Sequence, residues 1–354
     1  MSIKLDILVR PIALLALGLV TCVTLIGCSK SEPSNAPTAS TPAVPAAPAP
    51  LDEVRIGYFA NVTHAQAVLG VASGDFAAAV APAKLTTHVF NAGPSLIESL
   101  LSNQLDIGYV GPGPALNAWA KTRGQGLRVI AGSAANGVII VAAKDSGINT
   151  LADLKGRKLA TPQTGNTQDT AAKHYLISVL GQTDTNNIVP IANSEQVAMM
   201  TRGQIDASWA PEPWGSFLIA TANAKLIAEE KDLWPDKRFA LTLVITTPDF
   251  LAAHADVLAR ILAIHRKWTQ KLQSDPDSTL PQLGDALFAL TNKRLPGGVL
   301  AASLRHTLFT EDPLVDSLKT MVGWSVDLGV TREPFPLDGL IDTSILKSLP
   351  TTQP

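Results

Sequence analysis

Few residues in this chain have the types and spacing that catalysis needs. The six histidines stand at 64, 88, 174, 254, 265 and 306, and no two are spaced as metal ligands usually are. The two cysteines, Cys22 and Cys28, both precede residue 29, so the remainder can form no disulfide, thiolate metal site or Cys-x-x-Cys redox pair. There is no His-Glu-x-x-His, Gly-x-Ser-x-Gly or Walker loop. Gly111-Pro112-Gly113-Pro114 begins like a phosphate loop but lacks its third glycine, and its prolines have no amide to donate. What is left is polar, borne on loops and suited to holding a small molecule. The segments are Asn61-Val62-Thr63-His64, Gly111 to Pro114, Thr164-Gly165-Asn166-Thr167, and Trp209 to Trp214 with Glu212 between.

Each of these segments follows a short apolar run. In open α/β sheets a ligand crevice lies beyond the carboxyl ends of strands, where helix N-termini present free amides and a partial positive charge. Such a crevice attracts an anion. Thr63 and Asn166 can serve as helix caps or as ligand contacts. His64 is either a solvated neighbour of a cap or a ligand group, and an anion beside it would raise its pKa. Trp209 and Trp214, separated by prolines and a carboxylate, follow neither one strand face nor one helix face, so they read as the wall of a cleft mouth or as core aromatics. Glu212 is a ligand partner, a latch between lobes or an exposed loop charge.

The elements that must position these loops alternate between strand and helix, which is the pattern of an α/β architecture with mainly parallel strands. Strands are expected at 54–59, 85–90, 106–111, 127–131, 138–143, 158–161, 188–191, 207–210 and 241–246. Thr63 and Gln66 have capping-box spacing. Gly93-Pro94 gives a turn and a first-turn proline. Asn166 can cap a helix that runs through Ala171, Tyr175 and Val179 to a stop at Gly181. Beyond Thr246 the spacing is helical over 248–272, 280–289 and 313–328.

A weak repeat at a spacing of one hundred residues links Pro94–Tyr109 with Ser194–Trp209. Each half reads as a helix, a Gln-aliphatic-Asp turn, a strand and a proline-rich loop. Two lobes on one plan would bring corresponding loops together across a cleft. The simplest layout has two crossings, with lobe 1 at 51–140 plus 242–349 and lobe 2 at 141–241.

The 354 residues are 46% apolar and 16% charged, too apolar for a disordered chain and long enough for more than one core. With 28 basic and 30 acidic residues and no basic run, the chain has no field suited to nucleic acid. Lys4 and Arg10 precede an apolar stretch that ends at Leu25-Ile26-Gly27-Cys28, which reads as an export signal over 1–28. The small residue before the cysteine and the polar tract after it resemble the lipobox of bacterial lipoproteins, which implies lipidation of Cys28 and anchoring to a membrane as a periplasmic or cell-surface protein. Residues 29–50 are Ser, Pro, Ala and Thr with hardly a large apolar group, and read as a tether.

Several motifs together resemble the periplasmic binding proteins for aliphatic sulfonates, taurine and nitrate. They are Arg55-Ile56-Gly57-Tyr58, Phe90-Asn91-Ala92-Gly93-Pro94, Leu105-Asp106-Ile107-Gly108-Tyr109, Asp153-Leu154-Lys155-Gly156-Arg157-Lys158, Thr161 to Thr167, and Pro211-Glu212-Pro213-Trp214. The resemblance implies a two-lobed, hinge-closing type II binding-protein fold with two interlobe strands, no cofactor, a monomer, and the permease and ATPase of an ABC importer as partners. It also implies that Asn61, Thr63, His64, Gly111, Pro112, Asn136, Thr164, Gly165, Asn166, Thr167, Trp209, Glu212 and Trp214 border the ligand. None of these loops carries an arginine, so a sulfonate would be held by amides and neutral donors. Nitrate, a phosphonate and a thiamine-precursor heterocycle are alternative ligands, and a sensory lipoprotein without an importer is an alternative role. A pyrimidine-synthesising enzyme of the same fold would need a histidine- and cysteine-rich loop that this chain lacks.

Overall fold

The computed structural model describes residues 51–350. Cys28 and the tether lie outside them. The strands are β1 Glu53–Phe59, β2 Lys84–Phe90, β3 Ile107–Val110, β4 Arg128–Asn136, β5 Val138–Ala142, β6 Leu159–Thr161, β7 Ile188–Pro190, β8 Ala207–Pro211, β9 Lys225–Glu229, β10 Ala240–Thr246 and β11 Thr307–Phe309. They form two sheets, ordered β2-β1-β3-β10-β4-β11 and β7-β6-β8-β5-β9. In each sheet three parallel strands are followed by strands that alternate in direction, β10, β4 and β11 in the first and β5 and β9 in the second. The molecule is an α/β, two-lobed fold of the type II periplasmic-binding-protein kind.

The hundred-residue repeat is a structural repeat. Helices Gly93–Leu101 and Asn193–Thr201 lead to β3 and β8, and the chain turns after each helix through a left-handed residue, Asn103 at φ 57° and Gly203 at φ 67°. The aspartates play one role twice. Asp106 accepts the backbone amide of Arg55 at 2.7 Å, and Asp206 accepts that of Lys158 at 2.8 Å. Each carboxylate ties the start of its strand to the adjoining parallel strand, so the motif Gln-aliphatic-Asp is a strand-to-strand staple in both lobes.

Helices cover both faces of each sheet, as parallel strands require. On β1 the side chains of Val54, Ile56 and Tyr58 pack with helices Ala65–Ala72 and Ala255–Ser274. On the opposite face Gly57 lies so close to Leu96 and Leu105 that a methyl group there would displace them.

The chain changes sheet at Asn136-Gly137, both left-handed at φ 58° and φ 73°, and returns between β9 and β10. Val138, Ile139 and Ile140 therefore belong to the second sheet, and Ala240 and Leu241 to the first, which corrects the expected boundaries at 140 and 241. The expected strand 127–131 continues to Asn136 because it must reach this crossing. Two strands, β9 and β11, are absent from the sequence-based set. The expected helix 248–272 is two helices, Pro248–Ala253 and Ala255–Ser274, interrupted at His254. Among the described residues no helix is long and apolar enough to cross a membrane.

Candidate functional site

A narrow crevice lies between the sheets, beyond the carboxyl ends of β1, β2, β3, β6, β7 and β8. Five helix starts border it. Asn61 to His64 lead into helix Ala65–Ala72, Asn91 and Ala92 into Gly93–Leu101, and Gly111 into Pro112–Lys121. From the second lobe, Asn166 caps helix Thr167–His174 and Asn193 opens Asn193–Thr201. The positive ends of these helices converge on one narrow space.

No side chain bordering the crevice is an Asp, Glu, Lys or Arg. His64 is 2% exposed, and burial pushes its pKa down to about 3, so it is neutral at physiological pH. Its Nδ1 accepts the Phe59 amide at 3.4 Å, leaving the hydrogen on Nε2. Thr242 is 1% exposed, borders the crevice, and its Oγ1 has no hydrogen-bond partner. Leaving such a group unpaired costs about 1–3 kcal/mol. A ligand atom in the crevice would remove that cost. Among the described residues no cluster of His, Cys, Asp and Glu is placed to hold a metal.

The lobes meet around this volume. Trp214 Nε1 donates to Asn61 Oδ1 at 2.7 Å, the Val62 amide donates to the Glu212 carbonyl at 3.1 Å, and the Gly113 amide donates to Thr167 Oγ1 at 3.2 Å. Glu212, wholly buried, accepts from Ser216 Oγ at 2.8 Å and the Ser216 amide at 3.1 Å. Both belong to the first turn of helix Trp214–Ala222, where a carboxylate meets the positive end of the helix. From the other lobe Ser303 Oγ donates to Glu212 Oε2 at 3.0 Å, and His306 Nε2 lies 3.9 Å from Oε1. Burial raises the Glu212 pKa against the pull of these donors. Of its three sequence-based readings, the latch fits this geometry.

The structure therefore gathers Asn61, Thr63, His64, Gly111, Asn166 and Thr167 around the crevice and sets the other expected residues elsewhere. Pro112 starts its helix without bordering the crevice. Thr164 and Gly165 line a separate outer groove with Ile97 and Lys121, where the Gly165 amide is tied to Asp169 at 2.7 Å. Asn136 works at the crossing: its amide donates to the Phe239 carbonyl at 3.0 Å and its Oδ1 accepts the Phe239 amide at 3.2 Å. Trp214 borders a vestibule next to the crevice.

Trp209 is core, not cleft wall. It lies inside β8, whose two faces are both covered by helices, so its side chain points to a face and not out of the strand end. The indole is fully buried, 6.0 Å from the Tyr175 ring, and donates to Glu230 Oε2 at 2.6 Å. The capping box at Thr63 is also absent, because Gln66 turns into the core. Its Nε2 donates to the Ser133 carbonyl at 2.7 Å and to Thr269 Oγ1 at 3.1 Å. Thr63 is thereby left facing the crevice.

Sequence reasoning missed Asn91, Gln168, Asn193 and Thr242. The repeat carried a signal for two of these, since it pairs the helix start at Gly93 with that at Asn193. Thr242 carried none.

This two-lobed frame with a crevice at facing helix starts defines the class of the type II binding proteins. A family model described as NMT1-like matches residues 47–279, and the chain belongs to the NMT1-like family. Proteins described as binding proteins in Brucella abortus and Brucella suis are 26% identical over 201 residues, 55% of this chain and 59% of theirs. The match thus spans less than two thirds of these curated relatives. In fold, the chain is similar to the alkanesulfonate-binding protein SsuA from Xanthomonas axonopodis pv. citri bound to MOPS. The TM-score is 0.67 at 21% identity, with 82% of this chain and 98% of that one covered. It is also similar to the periplasmic nitrate-binding protein NrtA from Synechocystis PCC 6803, with a TM-score of 0.70 at 12% identity, covering 85% and 88%. The aliphatic sulphonate-binding SsuA from Escherichia coli gives 0.64 at 20% identity, covering 82% and 92%.

Proposed function

We propose that this protein is an exported solute-binding component of an ABC importer that closes its two lobes on a small anion, of the aliphatic sulfonate or taurine class. The observation that carries the reading is the crevice itself. Five helix starts and an unpartnered threonine hydroxyl converge there, with no acidic side chain to repel an anion. The absence of a basic side chain is no obstacle, because helix-terminal amides bind anions without one. The fold neighbours that bind sulfonates support the choice of ligand class. Nitrate is the second reading, supported by the small volume of the crevice and by the nitrate-binding fold neighbour. The reading is of a binding protein and assigns it no reaction and no cofactor.

The test is thermal unfolding with a panel of alkanesulfonates, taurine, nitrate and phosphonates. A ligand at 100 times its Kd adds about 2.7 kcal/mol of stability. A panel in which no anion shifts the transition refutes the reading.

The proposal extends to the N-terminus. Cys28 would be lipidated, and residues 29–50 would tether the lobes to a membrane surface facing away from the cytoplasm. Cys28→Ser should then release the protein from washed membranes with its ligand affinity unchanged, and retention of the variant in the membrane fraction would refute the anchor.

A further inference from the structure

The crevice does not end at its asparagines. Asn61, Asn91 and Asn193 also border an adjoining, wider vestibule, so the two compartments share a wall. Their chemistry differs. The crevice is amide-lined and uncharged, whereas the vestibule has an apolar side built from Phe90, Trp214 and the exposed Val89 and Leu290. It also holds Lys293, the one charged side chain that borders either compartment. Lys293 follows helix Leu280–Thr291 of the first lobe, and its Nζ donates to the Ser194 carbonyl in the first turn of helix Asn193–Thr201 of the second. The ammonium is thus held at a helix start by one carbonyl, with no carboxylate paired to it among the described residues.

We infer that the ligand is an organic dianion, a short alkyl chain with an anionic head in the crevice and a second anionic group that meets Lys293. This inference rests on the anion-binding reading above and names the substrate class within it. A single inorganic anion would fill the crevice and leave the vestibule and its cation unused. A simple alkanesulfonate would use the apolar wall and leave Lys293 without a counter-charge. A chain that ends in carboxylate uses all three features: amides for the head, Phe90 and Trp214 for the methylenes, and the ammonium with the helix start for the tail.

Isothermal titration of 3-sulfopropanoate and 1-propanesulfonate, which differ by a carboxylate in place of a methyl, tests this on wild type, Lys293→Met and Lys293→Arg. Wild type should prefer 3-sulfopropanoate at least tenfold. Lys293→Met should abolish that preference while leaving the 1-propanesulfonate affinity within about twofold, and Lys293→Arg should retain it. If Lys293→Met weakens both ligands by the same factor, the residue is only a strap between lobes and the inference is overturned. Equal wild-type affinities overturn it as well, with the anion-binding reading intact. If wild type binds neither ligand nor any other anion, the anion-binding reading itself fails.

Discussion

Trp214 donates its indole hydrogen to Asn61 Oδ1 at 2.7 Å, and the two residues belong to different lobes, Asn61 following β1 and Trp214 following β8. Each is buried, and Asn61 borders the crevice. The bond therefore joins the frame of the site to the contact between the lobes. In Trp214→Phe the aromatic wall remains and the donor is lost. A hydrogen bond of this kind contributes about 1 kcal/mol, so ligand affinity should fall roughly fivefold. Titration calorimetry on the variant checks it, and an unchanged Kd would show that the bond does not favour closure.

Gly111 has φ −69° and ψ 152°, a conformation open to any residue, so alanine there strains nothing in its own backbone. Its methyl group would, however, lie only 2.2 Å from Thr167 Oγ1 of the other lobe, so the two cannot keep this approach. Because the overlap is with the other lobe and separation there relieves it, Gly111→Ala should lose no more than about 1–2 kcal/mol of unfolding free energy. It should nevertheless fail to compact on ligand addition in small-angle scattering. Adding Thr167→Ala should restore part of the closure. Normal compaction in Gly111→Ala would mean that the lobes do not approach at this point on binding.

Thr242→Val replaces a buried, unpartnered hydroxyl by a methyl of similar shape. Stability and affinity should move in opposite directions. The free protein should gain on the order of 1 kcal/mol, and the ligand should lose a partner and bind about tenfold more weakly. Chemical denaturation without ligand and titration with it read the two effects separately. A variant that binds as wild type does would place the hydroxyl outside the ligand's reach.

Glu230 is 1% exposed and accepts from Trp209 Nε1 at 2.6 Å and Trp234 Nε1 at 3.2 Å. Burial pushes its pKa up to about 7 from an ordinary 4.5. The folded protein thus holds this proton more tightly than the unfolded chain does. The resulting stabilisation is complete below pH 4.5, shrinks as pH rises and is gone above pH 7, with an upper size of about 3 kcal/mol. His64 and His265 act in the opposite sense. Their folded pKa values, lowered by burial to about 3 and about 4, withdraw stability as pH falls below 6.5. The contribution of Glu230 is therefore read as the difference between wild type and Glu230→Gln across pH 5 to 8. That difference should change steadily from pH 5 to 7 and level off above, and a constant difference would mean that the carboxyl titrates normally.

Much of the frame was legible because it is written in local patterns. Apolar runs of strand length, the first-turn proline at Pro94, the cap at Asn166 and the paired Gln-aliphatic-Asp turns at Asp106 and Asp206 each depend on a few neighbouring residues. The alternation of runs and helices then implies parallel sheets, and with them a crevice at the strand ends. Strands β9 and β11 were not legible. Lys225–Glu229 mixes charged and apolar residues, and Thr307–Phe309 is three residues long, so each is a strand only because β5 or β4 offers it an edge.

The sequence by itself determined the α/β class, the two-fold internal plan and the loops at which helices begin, since propensity, capping and periodicity act over a turn or a strand. Only the tertiary structure decided which of those loops share one volume. Asn61 and Asn166 meet at the crevice although more than a hundred residues separate them, whereas Trp209, three residues from the latch at Glu212, is turned by strand pleating into the core. Thr242 and Lys293 carry no motif at all. They border the crevice and its vestibule only because packing brings the two lobes together there, and packing is contained in no stretch of sequence.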